Sequence, residues 1–361
     1  SFEFDARINC FVGFNGVGKT NALDAIYQLA FTKGYFNSIA VQNIQHEKDF
    51  FLIEGTFDIN EKEELISCSI KKGLKKVVKR NGKEYEKLSE HIGLIPLVII
   101  SPNDKNLITE GSDIRRKFMD SVIAQSDKAY LQNLIAYYKV LSQRNSLLKY
   151  FALNHTFDAL NIEIYNQQLV EFAEPIYQKR KEFSEKFTPI FMDRYKHISS
   201  SNENVHFLYK TQLDSTSLEE LLKSNIEKDR LLQYTSVGIH RDDLLYNIDG
   251  YPIKKFGSQG QQKSYLIALK LAEFDFVKSK SKLTPILLLD DIFDKIDDKR
   301  VKSLMRRVTS GSFGQVFITD TDVDRIPSMF KETGADVKVY LVNKGEVKEA
   351  GKSVNSDHET E

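Results

Sequence analysis

The sequence predicts an α/β fold: a mixed sheet with flanking helices, interrupted by a mainly α-helical insertion. Three observations carry this. Short apolar runs end in glycine-rich or acidic turns near both ends of the chain, strand patterns fill the region up to about Ile100 after a single helix, and the middle of the chain keeps a helical spacing throughout.

Taken in order, "INCFV" is a short apolar run that fits a buried parallel strand, and "NALDAIYQLAF" repeats apolar residues at helical intervals. Strand patterns follow in "FFLIEGTFDI", "LISCSIKKG" and "KKVVKRNGKEY", the last with an Asn81-Gly82 hairpin signal, and "PLVIISPNDKNLI" closes the region. From about Ser112 to Leu232 long helical stretches take over, including "YLQNLIAYYKVLSQRNSLLKYF" and "YNQQLVEFAEPIYQKRKEFSEKFTPIFMDRYKHI". Their aromatics, such as Tyr137, Tyr138 and Phe151, are expected in the core. After "YTSVGIHRDD" strands return in "LLYNIDGYPIKKF", "PILLLDD" and "GQVFITDTD", and "VKVYLVNKGEVKE" reads as a closing hairpin. The expected organisation is a first part of an α/β domain at 1–100, a helical insertion at 101–235, a second part of the α/β domain at 236–350, and a polar, disordered tail at 351–361. No repeat of fixed period is present.

A chain of 361 residues with 41% hydrophobic content can build two cores. Lys+Arg and Asp+Glu both number 51, so any nucleic-acid site must be a local patch rather than a global basic field. Cys10 and Cys68 stand apart, giving no disulfide framework and no zinc-ligand cluster. No apolar run approaches the roughly 20 residues of a membrane span, and the first residues do not read as a signal peptide, so a cytoplasmic protein is expected. The chain opens on Ser1 rather than Met, which leaves room for a natural first strand ahead of it.

The strongest chemical signal is "GFNGVGKT", Gly13 to Thr20, which satisfies G-x-x-x-x-G-K-[ST] at a strand-to-helix turn. Glycines at 13, 16 and 18 let backbone N–H groups converge on phosphate oxygens at a helix N-terminus whose partial positive charge favours the same anion. Lys19 would reach the β- and γ-phosphates and Thr20 would hold Mg²⁺, with Gly13, Asn15, Gly16, Val17, Gly18, Lys19, Thr20 and Asn21 forming the ATP-binding set. In "PILLLDDIFDKID" an apolar run ends in two acids at the carboxyl end of an expected parallel strand, the edge where open α/β sheets bind ligands. There Asp290 would act at the Mg²⁺, and Asp291 would orient or deprotonate the attacking water. By contrast, "HRDDLLYN" matches the kinase catalytic-loop spacing without the Asp-Phe-Gly, glycine loop or lysine that a kinase needs.

A second glycine- and glutamine-rich loop, "FGSQGQQKSYLIALKLAEF", runs into an amphipathic helix expected from about Gln262 to Val277. Taken alone it reads as a helix-capping loop. The order of elements resembles ATP-binding-cassette (ABC) ATPases of the SMC-like class, and within that class the RecF family of bacterial recombination mediators. The segments that carry the resemblance are "GFNGVGKTNALDAIY", "ISPNDKNLITEGSDIRRKFMD", "YKVLSQRNSLLK", "VGIHRDDLLYNIDG", "FGSQGQQKSYLIALKLAE", "ILLLDDIFDKID" and "GQVFITDTD", in order from residue 13 to residue 322. The resemblance implies an ABC-type P-loop ATPase head with an antiparallel β subdomain, in which Ser258, Gln259, Gly260 and Gln261 form a signature loop serving the ATP of a second subunit. It places Asp297 at the D-loop position. It also implies weak ATP hydrolysis with Mg²⁺, an ATP-dependent homodimer, binding of duplex and gapped DNA in recombinational repair and replication-fork maintenance, and partnership with RecR and RecO in loading recombinase at gaps.

The chain departs from the ABC pattern in three places. It has Asp291 where these ATPases usually carry Glu, and Thr319-Asp320-Thr321 where they carry a switch histidine, with Asp320 and Thr321 the candidate switch residues. Where transporter-type heads carry a coupling glutamine, it offers Asn103 or Asp104. The first two departures suggest slow hydrolysis. A nucleotide-gated structural or transport head acting without DNA is the alternative, but the coupling glutamine and the long coiled-coil arms that such proteins carry are missing. For DNA, "KKGLKKVVKRNGKEYEK" holds eight basic residues against two acids, and Arg115-Arg116 opens the insertion. Lys71, Lys72, Lys75, Lys76, Arg115 and Arg116 are the candidates for phosphate contact. The same lysines would also suit a solvated hairpin guarding an edge strand.

Overall fold

The computed structural model describes residues 2–5, 7–37, 39–199, 203–292, 308, 313–323, 325, 328, 330, 337–343 and 345–350. The chain divides into two compact units, one of residues 1–104, 197–199 and 273–361, the other of residues 105–196 and 200–272.

In the first unit a six-stranded sheet runs in the order Glu346–Ala350, Lys338–Asn343, Ile8–Val12, Val316–Asp320, Ile286–Asp290, Leu97–Ile100 among the described residues. Every neighbouring pair is parallel except the terminal hairpin of Lys338–Asn343 with Glu346–Ala350. Ile8–Val12, Val316–Asp320 and Leu97–Ile100 are buried along their whole length, which is why these strands read as unbroken apolar runs rather than alternating ones. A four-stranded antiparallel sheet, Phe50–Asp58, Glu63–Lys71, Val77–Arg80 and Lys83–Glu84, makes the β subdomain. Its tight turn is Asn81-Gly82 with φ of 50° and 80°, the backbone that matches hairpin twist. The helix Lys19–Phe31 joins both sheets in one core, in which Leu23, Ile26 and Tyr27 meet Ile66, Cys68 and Val78 as well as Ile99, Leu288 and Phe317. The phosphate-loop helix is thus clamped by apolar contacts along its length, leaving its N-terminal end to the loop.

The second unit carries the helices Ser112–Ala124, Lys128–Asn154 and most of Ala159–Ser199, with a three-stranded sheet of Val205–Lys210, Asp243–Ile248 and Tyr251–Pro252. Pro175 and Pro189 lie inside Ala159–Ser199, each removing a helical N–H. Beside the second of these the Thr188 hydroxyl donates to the carbonyls of Ser184 (2.7 Å) and Phe207 (3.1 Å). The core is aromatic. Phe187 packs on Phe183 and Phe207 at 4.8 and 5.1 Å between ring centres, and Phe191 packs on Tyr265 at 4.6 Å. Tyr137 and Phe151 are buried as expected, but Tyr138 is 40% exposed, because the residue next to an inward-facing one on a helix turns away from the core.

Two fully buried arginines organise this unit. Arg180 donates to Asp120, Asp242 and the Ile239 carbonyl, while Arg144 donates to Asp229, Thr235 and Asn166. The kinase-like "HRDD" is explained here. Asp242 is buried and accepts from Arg180 and the Tyr209 hydroxyl, so it is an internal counter-ion.

Candidate active site

The Gly13–Thr20 loop leaves the buried strand Ile8–Val12 and enters the helix Lys19–Phe31. A Cβ at Gly13 would sit 2.3 Å from the Val342 carbonyl oxygen, so only glycine fits. Gly18 stands at the helix N-cap with φ of 106°, and no described side chain caps that end. The first-turn N–H groups and the positive end of the helix dipole are therefore what an anion needs. Lys19 is 6% exposed, and its ammonium donates to the carbonyls of Gly13 (2.7 Å) and Phe14 (3.0 Å).

Opposite the loop stands the acid pair. The Thr20 hydroxyl donates to Asp290 Oδ1 at 2.9 Å, the Thr319 hydroxyl donates to the same oxygen at 2.9 Å, and the Asp291 N–H donates to Thr319 Oγ1 at 2.9 Å. Burial holds the Asp290 carboxyl above the usual carboxylate range; hydrogen bonds from Thr319 and Thr20 pull it down, and the neighbouring Asp291 pushes it up. Asp291 itself has φ of 47°, a left-handed conformation that costs about 1–2 kcal/mol in most residues and is best tolerated by Asp and Asn.

These groups line one cavity of about 350 Å³. Asn15, Gly16, Gly18, Lys19, Thr20 and Asn21 contribute from the loop and helix, Asp290 and Asp291 from the sheet edge, and Phe36, Pro102 and Asn103 from neighbouring segments. Gly13 and Val17 shape the loop from behind: Val17 accepts from the Gly345 N–H at 3.0 Å through its carbonyl. Of the two coupling candidates only Asn103 lines the cavity. Asp104 is held elsewhere, accepting from the Tyr35 hydroxyl (2.6 Å) and the Ser101 N–H (2.7 Å). Neither Asp320 nor Thr321 lines it, and Asp320 is buried, accepting from the Asp322 N–H at 3.0 Å. The side chain from this strand end that reaches the acid pair is Thr319. Phe36 carries no local sequence signal; Thr319 belongs to the Thr319-Asp320-Thr321 stretch at the switch position, and sheet register is what sets it, rather than Asp320 or Thr321, beside Asp290.

The signature segment belongs to the second unit. Its helix runs Gln259–Lys280 and so begins three residues before the expected Gln262. The reason is a reciprocal cap, in which the Ser258 N–H donates to Gln261 Oε1 (2.7 Å) and the Gln261 N–H donates to Ser258 Oγ (3.2 Å). Gln259, Gly260 and Gln261 are thus a first helical turn rather than a loop. Ser258 and Gln259 are exposed, and Gln261 Nε2 donates to Glu203 at 2.8 Å.

The basic candidates separate. Lys71, Lys72 and Lys75 are exposed on the β subdomain, with Lys72 at 3.7 Å from Asp49. Lys76 is half-buried and donates to the Thr32 carbonyl. Arg115 and Arg116 lie in the other unit, where Arg115 forks onto Asp243 (2.7 and 2.9 Å) and Arg116 donates to the Asp242 carbonyl (2.7 Å). Asp297 and the tail 351–361 lie outside the described residues.

The model of the RecF/RecN/SMC N terminal domain matches residues 1–348. The DNA replication and repair protein RecF of Flavobacterium johnsoniae is 58% identical over 339 residues, covering 94% of each chain. The chain belongs to the RecF family. A solved structure of the recombination mediator protein RecF-ATPrS in the RecFOR pathway matches with a TM-score of 0.87 at 29% identity, over 97% of this RecF-family chain and 94% of that one. The Smc head bound to the C-winged helix domain of ScpA matches with a TM-score of 0.57 at 15% identity, over 97% of this chain and 91% of that one. The fold is therefore the ABC-type ATPase head with an added helical region.

Proposed function

We propose that this RecF-family chain is an ATP-dependent DNA-binding protein of recombinational repair and replication-fork maintenance, acting in the cytoplasm. Binding of ATP closes two copies on duplex or gapped DNA, and slow hydrolysis releases them. The observation that carries this reading is the single cavity in which a glycine loop, Lys19, Thr20, Asp290 and Asp291 converge, in a chain that also presents a separate, exposed helix N-terminus at Ser258. The RecF structure in the RecFOR pathway supports an ATP-type ligand for this fold and the mediator role, and RecR and RecO as its partners.

In this mechanism the loop N–H groups and Lys19 neutralise the phosphate chain. The donor set suits Mg²⁺, since Thr20 and Asp290 present hard oxygens in contact and a bound cation would restore the charge that burial disfavours on Asp290. When bound, the ion supplies charge stabilisation on the phosphate oxygens. Asp291 orients a water for in-line attack on the γ-phosphorus and takes its proton as the bond to the ADP oxygen breaks. Ser258 and the N-terminus of its helix complete the γ-phosphate site of the other copy. Lys71, Lys72 and Lys75 are the residues we assign to DNA phosphates, a role that positions a duplex without reading its sequence.

The test is self-association of the purified chain with ATP, ADP and no nucleotide, each with and without gapped duplex DNA. Association that needs ATP and is strengthened by DNA is expected. Equal association in all three nucleotide states would remove the switch from the reading.

A further inference from the structure

We infer that Thr319 is a positioning residue for hydrolysis, a buried hydroxyl bridge that sets the geometry of both members of the acid pair. The inference rests on the ATPase reading above.

Thr319 is the penultimate residue of the strand Val316–Asp320, which lies between the loop-bearing strand Ile8–Val12 and the acid-bearing strand Ile286–Asp290. It pairs with Phe11 on one side and Asp290 on the other. Its side chain is fully buried, and a hydroxyl has one proton to give and lone pairs to receive. Both capacities are used here. The proton goes to Asp290 Oδ1, the oxygen that Thr20 also donates to, and the lone pair takes the N–H of Asp291.

The second bond explains the bend at Asp291. A strand continuing straight would give that N–H to a neighbouring backbone carbonyl; instead it goes to a side chain, and the backbone turns to φ of 47°. Asp291 then lines the cavity beside Asp290, two consecutive residues whose side chains would point to opposite faces of an extended strand. Thr319 thus holds the proton acceptor at the cavity through its main chain while fixing which oxygen of Asp290 faces Thr20. Neither task can be done by a side chain of the same shape without the oxygen.

The decisive comparison is Thr319→Val against Thr319→Ser, measured as steady-state hydrolysis and as binding of a non-hydrolysable ATP analogue. Valine keeps the volume and loses both bonds, so kcat is expected to fall about tenfold or more while KM and analogue affinity stay within about threefold. Serine keeps the oxygen and should return kcat to within about threefold of wild type. In an Asp291→Asn background Thr319→Val should slow hydrolysis much less than it does alone, because the residue it positions is already disabled. If Thr319→Val is poorly folded, Thr319→Ala carries the same comparison with serine. A wild-type kcat in the valine variant, a serine variant as slow as valine, or full multiplication of the two losses would each overturn the inference. Two controls run in parallel separate the levels: no hydrolysis by the wild-type chain would sink the ATPase reading, and normal hydrolysis by Lys19→Arg would take the reaction away from this cavity, whereas an inactive Lys19→Arg beside a fully active Thr319→Val removes only the role of Thr319.

Discussion

The hydroxyl of Thr20 and the carboxylate of Asp290 share a hydrogen bond of 2.9 Å across a sequence separation of 270 residues. The strands that bring them together are not neighbours, since Val316–Asp320 runs between them. All three are parallel, so their carboxyl ends open on one edge of the sheet and put the phosphate loop, the acid pair and Thr319 at that edge. A cavity built this way responds separately to changes in the loop and in the acids.

Lys19→Arg tests the loop. The ammonium sits against two carbonyls at 2.7 and 3.0 Å in a buried position, a fit for a compact charge with three donors. A planar guanidinium cannot take that place without displacing the loop backbone. ATP affinity is expected to fall by at least about tenfold, read by titration with a fluorescent ATP analogue. Wild-type ATPase activity in this variant would remove the loop from the mechanism.

Asp291→Asn tests the acid. Asparagine tolerates the left-handed backbone at φ of 47° as well as aspartate does, so the substitution changes charge and leaves the bend in place. Analogue binding should be unchanged within about twofold, while hydrolysis slows about a hundredfold, the contribution of a positioned general base. The variant should accumulate as an ATP-bound dimer on DNA; turnover at the wild-type rate would move proton acceptance to another group.

The parts of the cavity that are contiguous in the chain were legible in the sequence, because Ile8–Thr20 and Ile286–Asp291 each carry their own strand and turn. What pairing brings together was not. Thr319 reaches Asp290 through parallel register, so the sequence marks the stretch Thr319-Asp320-Thr321 but not which of its side chains meets the acid pair. Charge in sequence also misleads about surface: Arg115 and Arg116 read as a basic patch, but Asp243 and the Asp242 carbonyl hold them, and the Lys76 ammonium donates to the Thr32 carbonyl. Arg144 and Arg180 have no helical-spacing signature at all, since their acidic partners come from other elements. The hairpin at Asn81-Gly82 was readable because its φ values are a property of those two residues themselves.

His240 gives the helical unit a pH dependence of defined sign. Its Nε2 lies 3.0 Å from the Thr235 carbonyl, which can only accept, so Nε2 carries the proton and Nδ1 accepts from the Tyr137 hydroxyl at 2.8 Å. Burial lowers its pKa from 6.5 to about 4, against the Thr235 carbonyl and Asp229, which raise it, and with Arg241 and Arg116, which lower it further. Between those two values the unfolded chain binds more protons than the folded one, so stability falls as pH drops through that window and levels off below it. The contribution is at most about 1.4 kcal/mol per pH unit, and His240→Gln should flatten the pH dependence of the urea midpoint by that order. Identical pH profiles for the two proteins would assign the dependence to other groups.

Ser258→Arg separates a helix cap from a site completed for a neighbour. Ser258 is exposed and caps Gln261, so any replacement loses a cap worth about 1 kcal/mol. Ser258→Ala measures that loss alone, and it should leave ATP-driven dimerisation in place. Arginine adds a long charged side chain where the γ-phosphate of the other copy should meet a small hydroxyl, and it should block closure. Lys19, Thr20 and Asp290 are untouched, so the monomer should bind ATP within about threefold of wild type while ATP no longer drives dimerisation. Mixing Ser258→Arg with Lys19→Arg makes heterodimers in which one composite site carries both lesions and the other carries neither, so ATPase activity should partly return in a mixture of two inactive proteins. Loss of ATP binding by the Ser258→Arg monomer, or dimerisation as in wild type, would show that the helix N-terminus at Ser258 serves its own chain and not a second copy.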